Sequence, residues 1–412
     1  MMTVYRTRAG LRHRFRDVLN FYYPDCLDTA VGGYVAQLDE RDGHVYDART
    51  KHLVATARGV HNFSLGVLTD GPHWCDYAAE HGLRFLSTVH WDDERAGYDW
   101  LLDGRTPTDR TRYCYGHAFV LLAAARALQA GLPGARAELE RAFGVLEEGF
   151  WEPDHGLYAD RASPDWDLAS YRGQNANMHT CEALIAAYEA TGADRYLERA
   201  VTVADRFTRD VTAATDGLLW EHFTETWEPD RSYNADSPRH RFRPPGYQPG
   251  HHAEWAKLLA LLATHRPEDW LLERAHDLFE TAVDLGWDDE YGGLYYTVTA
   301  DGEPIVPDKY GWVHAEAIGA SALLCRADRE TDRDSPAPLE WYDRLWAYAS
   351  EHLINPRYGN WYERLARDHD RDGPNHGPAV EPGYHPLTNC WLGLRALEAD
   401  GRSSFGPRAA ER

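Results

Sequence analysis

The sequence predicts an all-α fold in which six helical hairpins close into a toroid, with short β-hairpins in the loops around one mouth. Three observations carry that prediction. A turn bearing Gly and an aromatic residue occurs six times, at Asp42-Gly43-His44-Val45-Tyr46, Ala96-Gly97-Tyr98, His155-Gly156-Leu157-Tyr158, Asp216-Gly217-Leu218-Leu219-Trp220, Gly292-Gly293-Leu294-Tyr295 and Tyr358-Gly359-Asn360-Trp361. Each turn is followed by a helix start marked by a histidine: His61, His117, His179, His251, His314 and His385. Successive units lie roughly 55 to 75 residues apart, which suits one helical hairpin and its loop. The helical segments also fall into two kinds, one apolar nearly all round and one two-faced, as inner and outer rings require.

In chain order, Gly116 to Ala130 is an apolar run that stops before Gly131 and Pro133, and Cys181 to Thr191 stops at Gly192. Tyr196 to Asp210 is amphipathic, with Arg, Asp and Glu on one face. The stretch from Thr224 to Gly250, rich in Arg, Pro, Asp and Tyr, is long enough to predict a lid or binding loop. Trp255 to Thr264, Ala315 to Arg326 and Leu392 to Ala399 repeat the apolar kind; Pro267 to Leu285 and Leu339 to Leu353 repeat the two-faced kind. Between them, Gly293 to Gly302 alternates and ends in Asp301-Gly302, a hairpin signal. The even spread of repeats predicts one catalytic domain over residues 1–400, with 401–412 as a disordered tail.

Composition excludes more than it selects. A net charge of −23 over 412 residues argues against nucleic acid or an anionic membrane as partner, because phosphate binding needs concentrated cation. Hydrophobic residues make up 43% of the chain, enough for a large core, and 15 Trp with 24 Tyr also suit a polar cleft lined by flat side chains. Only Lys51, Lys257 and Lys309 are lysines among the 43 Lys and Arg residues, which reads as genome composition. No stretch has the basic-then-apolar pattern of a signal peptide, and no apolar run reaches the ~18 residues of a membrane span. The six cysteines are scattered without a CxxC pair, so reduced core thiols and a cytoplasmic location are expected.

The chemistry is expected at the helix starts. His251 follows Pro249-Gly250 in the first turn of a helix, where the positive end of the helix dipole favours a neutral ring able to accept a proton. Glu254, three residues on, shares its face and can orient the ring or bind a hydroxyl, whereas His252 points elsewhere. A structural His–Glu pair at the helix start is the alternative. His179 repeats the layout with Glu182 at i+3 and with Gln174, Asn175 and Asn177 upstream, groups suited either to sugar hydroxyls or to capping. His385 again follows Pro and Gly. Arg58, three residues before His61, is the cation for an oxyanion, or a salt-bridged residue. Trp312 and Glu316 share a face, as do Tyr115 and Phe119, and this phasing turns His314 and His117 away from them. There is no P-loop, no GxGxxG, no GxSxG and no HExxH, so neither metal nor nucleotide cofactor is expected. Paired acids for glycoside hydrolysis remain an alternative because Asp and Glu are abundant.

These strings together resemble the N-acylglucosamine 2-epimerase superfamily, which contains sugar 2-epimerases, cellobiose 2-epimerases and mannose and related aldose–ketose isomerases. The matching segments are Ala57-Arg58-Gly59-Val60 through Phe63-Ser64, Tyr115-Gly116-His117-Ala118-Phe119, Gln174-Asn175-Ala176-Asn177-Met178-His179 with Glu182-Ala183, Pro249-Gly250-His251 with Glu254-Trp255, Trp312 with Ala315-Glu316-Ala317, and Gly383-Tyr384-His385. The resemblance implies an (α/α)6 barrel whose pocket is lined by Arg58, Tyr115, Asn175, His179, Arg241, His251, Glu254, Trp312, Glu316 and His385. Glu381 departs from the Lys or Gln that many relatives place four residues before the final His, and the segment that follows is nearer the mannose isomerase branch.

The resemblance further implies a metal-independent, cofactor-free isomerase taking a free monosaccharide, D-mannose to D-fructose with D-lyxose to D-xylulose beside it. His179 would open the ring, His385 would move the proton between C2 and C1 with His251 as partner at the oxygens, and Arg58 and Arg241 would stabilise the enediolate. The alternatives are a 2-epimerase of N-acetylglucosamine or cellobiose-like sugars, a glycoside hydrolase, and a non-catalytic sugar-binding protein. Monomer and dimer are equally compatible with the sequence.

Overall fold

The computed structural model describes residues 4–240, 242–331, 337–371 and 379–399. Arg241 and the tail 401–412 therefore lie outside the described residues. Within them are twelve α-helices: α1 (Arg8–Tyr22), α2 (Leu53–Leu68), α3 (Trp74–Phe85), α4 (Cys114–Gln129), α5 (Ala135–Gly149), α6 (Gln174–Thr191), α7 (Asp194–Asp205), α8 (Pro249–His265), α9 (Asp269–Gly286), α10 (Gly311–Glu330), α11 (Ala337–Tyr348) and α12 (Tyr384–Ala399). None is long and apolar enough to cross a membrane. The described residues form two compact units, one drawn from within Met1–Phe21, Gln248–Asp372 and His385–Arg412, the other from within Tyr22–Tyr247 and Gly373–Tyr384.

The two helix kinds separate as expected. Fourteen of the sixteen residues of α2 and thirteen of the sixteen of α4 are buried, and most residues of α6, α8 and α10 are buried too. By contrast α7 buries only Tyr196, Leu197, Ala200, Val203 and Ala204, a single stripe at helical spacing. Apolar periodicity leaves α1, α2, α3 and α5 undelimited, and it marks α6 only from its eighth residue because the first turns are polar. Of those polar residues Gln174, Asn177 and His179 are buried and Asn175 is half-buried, all of them helical rather than loop.

The turns are short antiparallel pairs off the outer helices. Trp91–Asp92 pairs with Gly97–Tyr98, and Trp151–Glu152 pairs with Leu157–Tyr158. Single bridges join Trp287 to Leu294, Ile354 to Trp361 and Leu27 to Tyr34. The last of these corrects the first repeat: its turn is at Gly32 and Gly33, both at positive φ. Asp42-Gly43 instead closes a separate hairpin between Gln37–Leu38 and Val45–Asp47. Both are Gly-aromatic turns, and only their pairing distinguishes them.

Two devices recur where a turn meets the buried helix that follows it. The fourth helical residue binds backward. His117 Nδ1 donates to the Tyr113 carbonyl at 2.7 Å and its Nε2 accepts from the Tyr98 amide at 3.3 Å. His314 does the same between Tyr310 and Leu294, and Asn177 ties Gly173 to both polar groups of the Tyr158 backbone. The second device is a buried cation just before the helix N-cap: Lys51 on Asp28, Arg112 on Asp92 and Asp99, Arg172 on Glu152, and Lys309 on Asp288.

Candidate active site

The six repeat histidines are not equivalent. Counted from the first helical residue, His385 is second in α12, His251 third in α8, His117 and His314 fourth, His179 sixth in α6 and His61 ninth in α2. Each residue turns the side chain by about 100°, so a shared place in the repeat does not give a shared direction. His117 and His314 belong to the turn-holding device, as their phasing implied, and burial pushes both rings down to about 3. His252 also turns away: its Nδ1 donates to the Gln248 carbonyl.

A different register collects the chemistry. The sixth residues of the buried helices are Arg58, Phe119, His179, Glu254, Glu316 and Asn389. One turn earlier lie Tyr115, Asn175, Trp312 and His385; one turn later lie Glu182 and Lys257.

In the unit that begins at Tyr22, Arg58 is buried and held by both terminal nitrogens. Its Nη1 donates to the Val380 carbonyl and to Glu381 Oε2, both at 2.9 Å, and its Nη2 donates to Tyr115 Oη at 3.1 Å. The guanidinium is stacked on Phe119 and Tyr384, 4.3 and 4.6 Å from the ring centres. His179 Nδ1 sits 3.1 Å from Glu182 Oε2, which also accepts from Tyr384 Oη at 2.6 Å. Donation from Nδ1 leaves Nε2 as the acceptor, with Tyr115 and Phe119 packed about the ring. Asn175 is half-buried, and its Oδ1 is out of solvent with no hydrogen bond among the described residues. His61 packs its ring against Tyr384.

The same unit carries the long excursion after Thr224. Arg243 Nη2 donates to Asp160 Oδ1 at 2.5 Å and lies 4.0 Å over the Tyr171 ring. His222 Nε2 donates to the Pro244 carbonyl, and Tyr171 Oη donates to His222 Nδ1, each at 2.8 Å. His222–Phe223 pairs with Arg172–Gly173, the strand that leads directly into α6. The base of the predicted lid is thus fastened to the helix bearing Asn175 and His179.

In the unit that contains α8, α10 and α12, His251 and His385 both pack on Trp312, with ring centres 5.1 and 5.6 Å away. Gly250 makes room for that indole, since a Cβ there would come within 2.6 Å of it. His385 Nδ1 lies 2.6 Å from Glu316 Oε1, and Asn389 Nδ2 donates to the same oxygen at 2.9 Å. Lys257 Nζ reaches Glu316 Oε2 at 2.5 Å and Glu254 Oε1 at 3.4 Å. Glu254, Glu316 and His385 bring one acceptor atom each within 4.8 Å of the others, and the cation this group holds is the Lys257 ammonium.

Lys257 and Asn389 were missed from sequence. The available signal was positional: Lys257 stands three residues beyond Glu254 on the same face, and Asn389 is the sixth residue of its helix. All three lysines are buried against carboxylates, so their rarity reflects selective placement as well as an arginine-rich composition.

The sequence profile of N-acylglucosamine 2-epimerase (GlcNAc 2-epimerase) matches residues 32–388. A D-mannose isomerase from Marinomonas mediterranea is 40% identical over 393 residues, covering 95% of this chain and 98% of that one. A crystal structure of a D-mannose isomerase superposes with a TM-score of 0.90 at 40% identity, over 94% of this chain and 97% of that chain. The cellobiose 2-epimerase of Spirochaeta thermophila superposes with a TM-score of 0.80 at 22% identity, over 96% and 97%, which shows a shared fold. The expected (α/α)-barrel fold class is borne out by these neighbours.

Proposed function

The chain belongs to the N-acylglucosamine 2-epimerase family, and from that premise we propose that it is a D-mannose isomerase, interconverting D-mannose and D-fructose through a cis-enediolate. The 40% identity to a D-mannose isomerase over nearly the whole of both chains supports the substrate. The observation that carries the mechanism is the His385–Glu316 pair. With Nδ1 donating to Glu316, the His385 tautomer carries its lone pair on Nε2, the nitrogen that takes the proton.

The chemistry follows from the open-chain sugar. His179, its ring oriented by Glu182, assists ring opening by moving a proton between O1 and O5. The C2–H bond then breaks toward His385 Nε2, its electron pair forms C1=C2, and the carbonyl electrons move to O1. Arg58 and His251 serve the oxygens, where charge develops. Proton exchange between O2 and O1 followed by return of the His385 proton to C1 gives the ketose. One base on one face suffices, whereas 2-epimerisation needs a second base on the opposite face of C2. Tyr115, Asn175, Glu254, Trp312 and Glu316 complete the binding set, as does Arg241 beyond the described residues, and residues 1–400 act as one catalytic domain. D-lyxose, which shares the C2 configuration and lacks C6, is the second substrate.

The test is NMR of D-mannose with the purified protein in D2O containing EDTA. Fructose with deuterium at C1 and little glucose is the expected result. Glucose as the main product would move the reading to 2-epimerisation. Because the clustered carboxylates already hold Lys257, chelation should leave the rate unchanged; loss restored by one metal would overturn the scheme.

A further inference from the structure

We propose that Lys257 is a positioning residue that keeps His385 in its proton-accepting state, by drawing the charge of the Glu316 carboxylate away from the imidazole. The proposal rests on reading His385 as the carbon base.

A carboxylate on Nδ1 orients an imidazole, but it also stabilises the imidazolium. An imidazolium has no lone pair for a carbon-bound proton, so Glu316 acting alone would weaken the base that it aligns. The arrangement around Glu316 counters this. Oε1 accepts from His385 and Asn389, while Lys257 takes the opposite oxygen, Oε2. Lys257 and Glu316 are wholly buried and His385 is 4% exposed, so water does little to screen them.

The charge count gives the direction. With Glu254 and Glu316 ionised, Lys257 protonated and His385 neutral, the group carries −1. It becomes neutral when His385 holds the abstracted proton, a modest stabilisation of the intermediate. Without the ammonium the resting group would carry −2, and His385 would take its proton from water before substrate arrived.

On α8 the titratable groups of the same face are His251 and Glu254. On α12 the partner is the neutral Asn389. The buried face of α9 is apolar at Leu271, Ala275, Leu278, Phe279 and Ala282, and its buried His276 is paired at 2.8 Å with Asp328 near the end of α10. A lysine suits the position because a compact ammonium can be reached by two carboxylates, where a guanidinium would need a wider slot.

The test is Lys257→Met, which removes the charge and keeps most of the bulk. Two quantities are read: the His385 ring titration by NMR of labelled histidine, assigned with His385→Asn, and the pH profile of kcat/KM on D-mannose. The His385 midpoint should rise by about one pH unit or more, and the acid limb of activity should rise with it. Adding Glu254→Gln to Lys257→Met should bring the midpoint back toward wild type. A folded Lys257→Met protein whose His385 midpoint is unmoved overturns the proposal. Should that variant fail to fold, Glu254→Gln alone must lower the midpoint, and an unmoved value there has the same force. A midpoint that moves while the acid limb stays put upholds the role of Lys257 and removes His385 as the carbon base.

Discussion

His385 Nδ1 and Glu316 Oε1 are 2.6 Å apart although 69 residues separate them in the chain. This contact between α12 and α10 makes Nδ1 the donor and so fixes the tautomer, with the ring lone pair on Nε2. Glu316→Gln removes the charge and lets the amide present either a donor or an acceptor to the ring. Turnover of D-mannose should fall by about 10²- to 10⁴-fold, the usual worth of an aligned acid–base group, with a much smaller change in KM. The fold should also weaken, because the buried ammonium of Lys257 loses its nearer partner. A kcat within about threefold of wild type would remove Glu316 from the mechanism.

Arg58 is a second case in which one side chain does two jobs. It holds the 380–381 segment through Val380 and Glu381 while stacked between two rings, and that segment leads into the helix bearing His385. Arg58→Ala should therefore lower kcat by more than tenfold. Lysine should rescue little, because it cannot supply the planar fork. Glu381→Gln keeps a hydrogen-bond acceptor and should cost about 1 kcal/mol in stability, with less than tenfold loss of kcat. An effect of Arg58→Ala confined to KM would make it a binding residue only.

The turn-holding histidines predict acid sensitivity. Burial holds His117 and His314 at about 3, well below the ordinary 6.5. As pH falls from 6.5 toward 3, the unfolded chain takes up a proton at each ring that the folded chain refuses. Stability is therefore lost with falling pH, at up to about 1.4 kcal/mol per pH unit for each histidine, and is unaffected by them above 6.5. Asn177 shows that Asn can hold the equivalent turn without titrating. The double variant His117→Asn, His314→Asn should lose less stability between pH 7 and pH 5 in urea titrations. An undiminished loss would place the acid sensitivity elsewhere.

The helices were legible because burial imposes a periodic cost on every turn: apolar runs such as Gly116 to Ala130 and stops such as Gly192 record it locally. Phasing within one helix was legible too, and it correctly set Trp312 with Glu316 and turned His117 and His314 away. What failed was counting across helices. The repeat was read by its histidines, which occupy five different registers, rather than by the sixth residue of each buried helix. Asp42-Gly43 was likewise taken for Gly32-Gly33, since strand pairing is not written in a turn's composition. Lys257 was hidden because its nearer partner, Glu316, is on another helix, and the i, i+3 spacing from Glu254 alone does not tell a buried pair from a solvated one.

Arg243 carries the last prediction. Its guanidinium is half-buried between Asp160 and the Tyr171 ring, and although burial opposes the charge, Asp160 holds it well above the ordinary arginine value. Asn234 Nδ2 donates to the Arg243 carbonyl at 2.8 Å, so this one residue joins the excursion to itself and to the body beneath it. Arg243→Ala leaves Asp160 buried without its nearest cation, at a cost of about 3 kcal/mol, and frees the loop base beside α6. Trypsin should then cleave between residues 231 and 243 much faster than in wild type, and KM for D-mannose should rise more than kcat falls. Lysine should restore the charge without the fork or the stacking and recover only part of either effect. Unchanged proteolysis together with an unchanged KM would mean that the excursion is held elsewhere and plays no part in retaining the sugar.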